Sequence, residues 1–285
     1  MDNYRQLSLF PFMEEDSGKS DDRTPASVTW NLWHGCTRAS SGCAHCYMFR
    51  RDMEHGKDPT KVHKTASFNL PVRRYRAGEY KGFYKIPSGS TVFTCFTSDF
   101  FHEAADEWRS DAWAMMKERS DCSFYTITKR PQRIKQSLPS DWGDGYDNVH
   151  IAVTCENQYW TDKRLPLYLQ LPIRHKSIMH EPMLEQIDIR KYLSEYADQI
   201  EKVSCGGESG PDARICDYGW ILNTHMQCVQ HGVPFSFHQT GAKLKKGEKV
   251  YQIPREYQHE QAHKAGLDYG GGLDLPICLG AANPE

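Results

Sequence analysis

Short β-rich apolar runs alternate with helix-like segments about six times along this chain, and that alternation leaves few folds open. Residues 91–97 (TVFTCFT), 122–128 (CSFYTIT), 148–154 (NVHIAVT), 176–180 (KSIMH), 201–205 (EKVSC) and 234–238 (PFSFH) read as strands, and 28–33 (VTWNLW) as an earlier one. Between them, 103–119 places Trp108, Ala112, Met115 and Met116 on one helical face. Residues 161–170 open on Thr161 and Asp162 as cap candidates, and 184–200 carry Leu184, Ile187, Leu193 and Ile200. Residues 217–231 open at Asp217, group Leu222, Met226 and Val229, and stop at Gly232, a good residue to follow a helix. Repeated strand–helix alternation predicts an α/β fold with a parallel sheet.

The strand ends narrow the architecture. The second strand is followed by Ser98, Asp99, His102 and Glu103, the third by Lys129 and Arg130, the fourth by Glu156 and Asn157. The fifth is followed by Glu181 and itself ends on His180; the sixth leads into Gly206, Gly207, Glu208 and Ser209, the last into His238 and Gln239. In a closed or partial βα barrel the C-terminal strand ends surround one site. A doubly wound sheet uses mainly one crevice. Six decorated ends favour a partial (βα) barrel of about six to seven parallel strands.

Composition sets outer limits. Lys and Arg total 35 against 37 Asp and Glu, a net charge of −2, so a globally basic nucleic-acid coat is excluded. No run of 18 apolar residues offers a membrane span. The N-terminus has neither a basic n-region nor a long apolar stretch, so no secretory signal is expected. Ten cysteines then point to a reducing, cytoplasmic setting, where cysteine serves metal binding, catalysis or core packing. Residues 1–27 read as a flexible polar arm, 28–242 as the barrel, and 243–285 as an irregular C-terminal extension.

Residues 35–47 (GCTRASSGCAHCY) space Cys36, Cys43 and Cys46 as C-x6-C-x2-C, just after the first strand. Three thiolates on one short loop can hold an iron–sulfur cluster with one iron left open, the arrangement that S-adenosylmethionine (SAM) radical enzymes use. Zinc with His34 or His45 as fourth ligand is the alternative. Cys95, Cys155 and Cys205 sit in strands and read as core; Cys122, Cys216, Cys228 and Cys278 are scattered.

TWNLWHGCTRASSGCAHCY, VFTCFTSDFFHEAADEW, TITKRP, AVTCENQ, RLPLYLQLP, HEPMLEQIDI, GGESGPDAR and GVPFSFHQTG occur in that order between about residues 29 and 242. With them the chain resembles the phage-type three-Cys-motif family, which is radical-SAM-like and largely uncharacterised. The resemblance implies a partial barrel of the radical-SAM type, a 4Fe–4S cluster and SAM, with Cys36, Cys43 and Cys46 as cluster ligands. Radical-SAM enzymes usually space these cysteines C-x3-C-x2-C, so the first gap here is wider. By position, Ser98 and Asp99 would meet the SAM ammonium group, and Lys129 and Arg130 its carboxylate or a substrate phosphate. Glu156, Asn157 and Glu181 would meet ribose or substrate, with Arg130 or Arg174 as alternative structural partners for the two carboxylates. Gly206 and Gly207 before Glu208 would let backbone approach a ligand. His180, Glu181 and His238 are the catalytic candidates.

Two further features concern partners. Gln6, Leu7, Ser8, Leu9 and Phe10 (QLSLF) resemble the pentapeptide by which bacterial proteins dock on the DNA sliding clamp. Residues 50–85 interleave ten Lys or Arg with Phe68, Tyr75, Tyr80, Phe83 and Tyr84, the mixture a nucleic-acid groove uses. The expectation is a radical-SAM-like enzyme, served by a reductant protein, that cleaves SAM reductively and abstracts hydrogen from a DNA base or nucleotide. The alternatives are a radical enzyme acting on a small molecule and a zinc-stabilised, clamp-associated binding protein.

Overall fold

A computed structural model describes residues 21–271. Seven strands form the main sheet: β1 (Ser27–Trp30), β2 (Thr91–Thr94), β3 (Ser123–Thr128), β4 (Val149–Thr154), β5 (His175–His180), β6 (Ile200–Gly206) and β7 (Phe235–Gln239). They lie side by side in chain order, every pair parallel. The helices are α1 (Tyr47–Glu54), α2 (Asp106–Glu118), α3 (Pro131–Ser137), α4 (Gln158–Leu169), α5 (Arg190–Tyr196), α6 (Tyr218–Gln230) and α7 (Gln258–Lys264). Because parallel crossovers share one hand, a sheet that never reverses its order keeps its crossover helices on one face and curls around the other. The result is a partial (βα) barrel, and all seven expected strands belong to it.

Alternation along each strand separates the two faces. Val92, Phe124, Ile151, Val153, Ile178, Val203 and Cys205 join the main core under the helices. Phe93, Tyr125 and Ala152, flanked by Phe96 and Ile127, form a second apolar cluster on the concave side.

Several local expectations change. α4 begins at Gln158, not near Thr161, because Asn157 caps it: its Oδ1 accepts the Trp160 N–H at 2.9 Å. Only Arg190–Tyr196 of the 184–200 segment is α-helical. The preceding stretch is held as loop, with the Leu184 N–H on the Glu156 carbonyl and the Ile189 N–H on the Gln227 side chain. α6 turns Met226 and Val229 outward and buries Ile221, Thr224, Gln227 and Cys228. Gln227 is inside because it bonds the backbone at Ile187 and Ile189.

Both ends of the described chain pack on the barrel. Arg23 lies over the rings of Tyr75, Tyr80 and Phe83, and the Ala26 N–H meets Ser90. Order therefore begins ahead of Val28. The peptide Gln6–Phe10 and Cys278 lie outside the described residues. The described part of the extension, 243–271, is not irregular: strands Lys243–Lys246 and Lys249–Gln252 form a hairpin that pairs with Cys216–Asp217. α7 packs against β7, and Tyr269 exchanges two 2.9 Å backbone bonds with Phe235. α7 and Tyr269 cover the free edge of β7, which would otherwise invite pairing with another chain. Among the described residues no helix is long and apolar enough to cross a membrane.

Candidate functional site

The Gly35–Cys46 loop follows β1 and lies across the C-terminal ends of the strands. Its entry depends on Gly35, whose φ of +94° and close packing exclude a side chain: a Cβ there would stand 2.5 Å from the Lys61 carbonyl oxygen. The Gly35 N–H bonds the Thr97 carbonyl at 3.2 Å, and the Ser98 hydroxyl donates to the Gly35 carbonyl at 2.5 Å. The turn after β2 that presents Ser98 runs through Cys95, which is buried at φ +64°.

Four strand ends converge on this loop. After β2, the buried Asp99 accepts bonds from Phe101 N (2.9 Å), the Thr128 hydroxyl (2.8 Å), Lys129 N (3.0 Å) and Arg130 Nη1 (3.2 Å). After β3, Arg130 Nη2 donates to the Thr37 carbonyl and hydroxyl, both at 2.8 Å, while Nη1 stands 3.8 Å from Cys36 Sγ. After β4, Glu156 Oε1 accepts the Gly42 N–H at 2.9 Å, and Oε2 pairs with Arg164 at 2.7 Å. After β6, Glu208 bonds His45 Nδ1 at 3.0 Å and Arg214 at 2.6 Å, and Arg214 reaches the Ser41 carbonyl. Breaking one partner from a buried pair such as Asp99–Arg130 or Glu156–Arg164 costs about 3–5 kcal/mol.

The electrostatics follow from this packing. Burial pushes the Cys36 thiol up to about 12, opposed chiefly by the adjacent Arg130 guanidinium. A cation bound to sulfur would take the proton's place, so a thiol here with a guanidinium aimed at it suits thiolate ligation. Burial also pushes Glu156 and Glu208 up, but Arg164 and Arg214 outweigh it and hold both carboxylates below their ordinary value.

Many of the expected contacts serve the chain itself. Asp99 already accepts two bonds on each oxygen, so it has no free lone-pair site for an ammonium group. Ser98 is committed to Gly35. The partner of Glu156 is Arg164, while Arg130 goes to Asp99 and Arg174 to Asp147. Asn157 caps α4 and donates to Ser41 at 3.3 Å. A Cβ on Gly207 would meet the Thr240 carbonyl at 2.3 Å and one on Gly206 the Glu181 carboxyl at 3.0 Å, so both glycines admit the chain's own neighbours. Lys129 stays half-buried at the mouth, its ammonium 3.5 Å from the Thr154 hydroxyl.

The catalytic candidates divide. Glu181 accepts the Ser204 hydroxyl at 2.6 Å and faces His238 Nδ1 at 2.9 Å; burial raises its affinity for a proton, and His238 more than reverses this. His180 shares the helix-packed face with Ile178 and donates Nδ1–H to the Cys155 carbonyl at 2.5 Å. It is fully buried there, and that burial pulls its pKa down to about 4.

Beside the loop, a cavity of about 370 Å³ is lined by Arg38, Lys129, Arg130, Arg133, Lys163 and Arg164, with Glu103 as the acid and Trp160 as the ring. Arg164 stacks on Trp160 at 4.3 Å. A groove of about 520 Å³ between α2 and α3 is larger, but none of the loop's residues line it.

His34 and His45 each give a ring nitrogen to a carboxylate, Asp52 at 2.7 Å and Glu208 at 3.0 Å. Among the described residues, the group that brings three metal-ligating atoms within 4.8 Å of one another is His150, His175 and Glu201, not the three thiols. Sulfurs on one zinc ion stand about 3.8 Å apart. Sequence reasoning missed Thr37, Arg164 and Arg214 as loop-holding residues, and passed over His102, whose Nε2 lies 3.0 Å from the Thr37 hydroxyl. Only His102 carried a signal, its place after a strand end.

Residues 24–272 match the model of a family described as "Protein of unknown function (DUF5131)". Neither the curated proteins nor the solved structures gave a match.

Proposed function

This chain belongs to the DUF5131 family of proteins of unknown function, and we propose that it is a radical-SAM-like iron–sulfur enzyme whose substrate is a DNA base or nucleotide. The observation that carries the reading is the cysteine loop itself, held across the mouth of a partial barrel by side chains from four strand ends. Cys36, Cys43 and Cys46 would hold a 4Fe–4S cluster with one iron open to SAM. When bound and reduced by a partner protein, such a cluster supplies the electron for reductive cleavage of SAM and hydrogen abstraction from the substrate.

The chain's own residues do the rest. Arg130 ties the loop to Asp99 and places positive charge beside Cys36. Phe93, Phe96, Tyr125 and Ile127 keep the concave face apolar and exclude water from beneath the mouth. The cations around the 370 Å³ cavity suit a substrate phosphate, and Trp160 offers a ring beside them. Lys129, half-buried beside Thr154, would meet the SAM carboxylate, and the hydrogen-bonded Glu181–His238 pair would hold or move a proton. The pentapeptide Gln6–Phe10 would deliver the enzyme to the DNA sliding clamp.

The test is anaerobic purification with iron, sulfide and zinc analysis, then electron paramagnetic resonance of the reduced protein with and without SAM. The expected result is about four irons per chain and a signal that changes when SAM is added. Stoichiometric zinc without iron would overturn the reading and leave a zinc-stabilised binding protein.

A further inference from the structure

A second constellation lies at the opposite end of the barrel. His150, His175 and Glu201 stand near the N-terminal ends of three neighbouring strands, β4, β5 and β6. Six residues of strand separate His150 from Glu156, about 20 Å, so this group is remote from the cysteine loop. Glu201 spans the two histidines: Oε1 is 2.5 Å from His175 Nδ1, and Oε2 is 3.3 Å from His150 Nδ1. The imidazoles stack at 4.3 Å between centroids, and His150 stacks in turn on the buried Tyr125.

The tautomer of His175 makes this arrangement informative. Its Nε2 lies 2.9 Å from the Asp147 carbonyl, which can only accept, so Nε2 carries a hydrogen. With Nε2 carrying a hydrogen, Nδ1 faces Glu201 Oε1, and either a proton or a metal cation can join the two atoms. A ring N–H held by a backbone carbonyl, which fixes the ring and aims its other nitrogen, is how metal-binding histidines are oriented. One divalent ion satisfies both nitrogens and the carboxylate together.

We propose that His150, His175 and Glu201 form a binding site for a divalent first-row transition ion that clasps β4, β5 and β6. Two imidazoles and one carboxylate are the donor set that Zn2+, Co2+ and Ni2+ accept. Glu201 is partly exposed, so the ion can enter from solvent and keep water in its remaining positions.

The probe is Zn2+ added to the full-length Cys43→Ala protein, followed by calorimetric titration and zinc X-ray absorption. One ion per chain is expected, with only nitrogen and oxygen neighbours. His175→Ala should weaken binding at least tenfold and Glu201→Gln should weaken it measurably, whereas His231→Ala, just after α6, should leave it unchanged. Glu201→Gln keeps the side chain's size, which guards against loss by misfolding. Sulfur in the zinc shell, no binding above the His175→Ala background, or equal affinity in all variants would overturn the site and leave a shared proton to account for the contacts. Iron content of the unmutated chain reports separately on the cysteine loop.

Discussion

Gly35 and Arg130 carry more of the site than any exposed group does. A methyl group at Gly35 cannot fit under the Lys61 carbonyl, and φ +94° disfavours any side chain. Gly35→Ala should cost about 3 kcal/mol and abolish iron binding, measured by urea unfolding and iron analysis. Arg130→Met leaves Asp99 buried without its charge partner and frees Thr37, so it should cost about 3–5 kcal/mol; Arg130→Lys cannot reproduce the forked contacts and should rescue only part. The cysteines separate cleanly by place. Cys43→Ala should lose the iron, while Cys228→Ala, on the buried face of α6, should keep it. Equal iron in both variants would refute the ligand assignment. The cysteine spacing was legible as a motif. The saturation of Asp99 was not, because Thr128, Lys129 and Arg130 reach it only when β2 and β3 lie side by side.

At the scale of elements, strands were readable and helix faces less so. The β-rich runs are short, apolar and bounded by polar residues, and each became a strand of the sheet. α6 misleads because Met226 and Val229 are apolar yet exposed, while Gln227 is buried by its bonds to the 187–189 backbone. No periodicity rule anticipates a partner from a different loop. α7 and the Tyr269 contact cover the edge of β7. Removing residues 243–285 should therefore expose that edge and drive association. Size-exclusion chromatography of residues 1–242 should show aggregates; a stable monomer with unchanged unfolding would contradict this role for the extension.

For the whole molecule, the buried histidine ties stability to pH. The folded value of His180 is about 4 against 6.5, so the unfolded chain takes up a proton first as pH falls. Stability is full above pH 6.5 and is lost on the way down to about 4. The loss between pH 7 and 5 is about 2 kcal/mol from this group. His102 and His259 are also lowered by burial and act in the same direction, so the useful quantity is a difference. His180→Gln should flatten the pH 7-to-5 stability difference by about that amount in urea titrations. An unchanged slope would mean the ring is not buried as described.

The sequence by itself determined the strand segments, their alternation with helices and the placing of three cysteines after the first strand. These depend on local alternation and spacing, which a chain carries wherever it folds. Tertiary structure alone decided which polar residues after the strands are occupied and which are open. Asp99, Glu156 and Glu208 are spent on arginines and loop backbone that strand packing brings to them. His150, His175 and Glu201 meet for the same reason: parallel neighbours set residues 25 or more positions apart side by side, and no local pattern records that pairing.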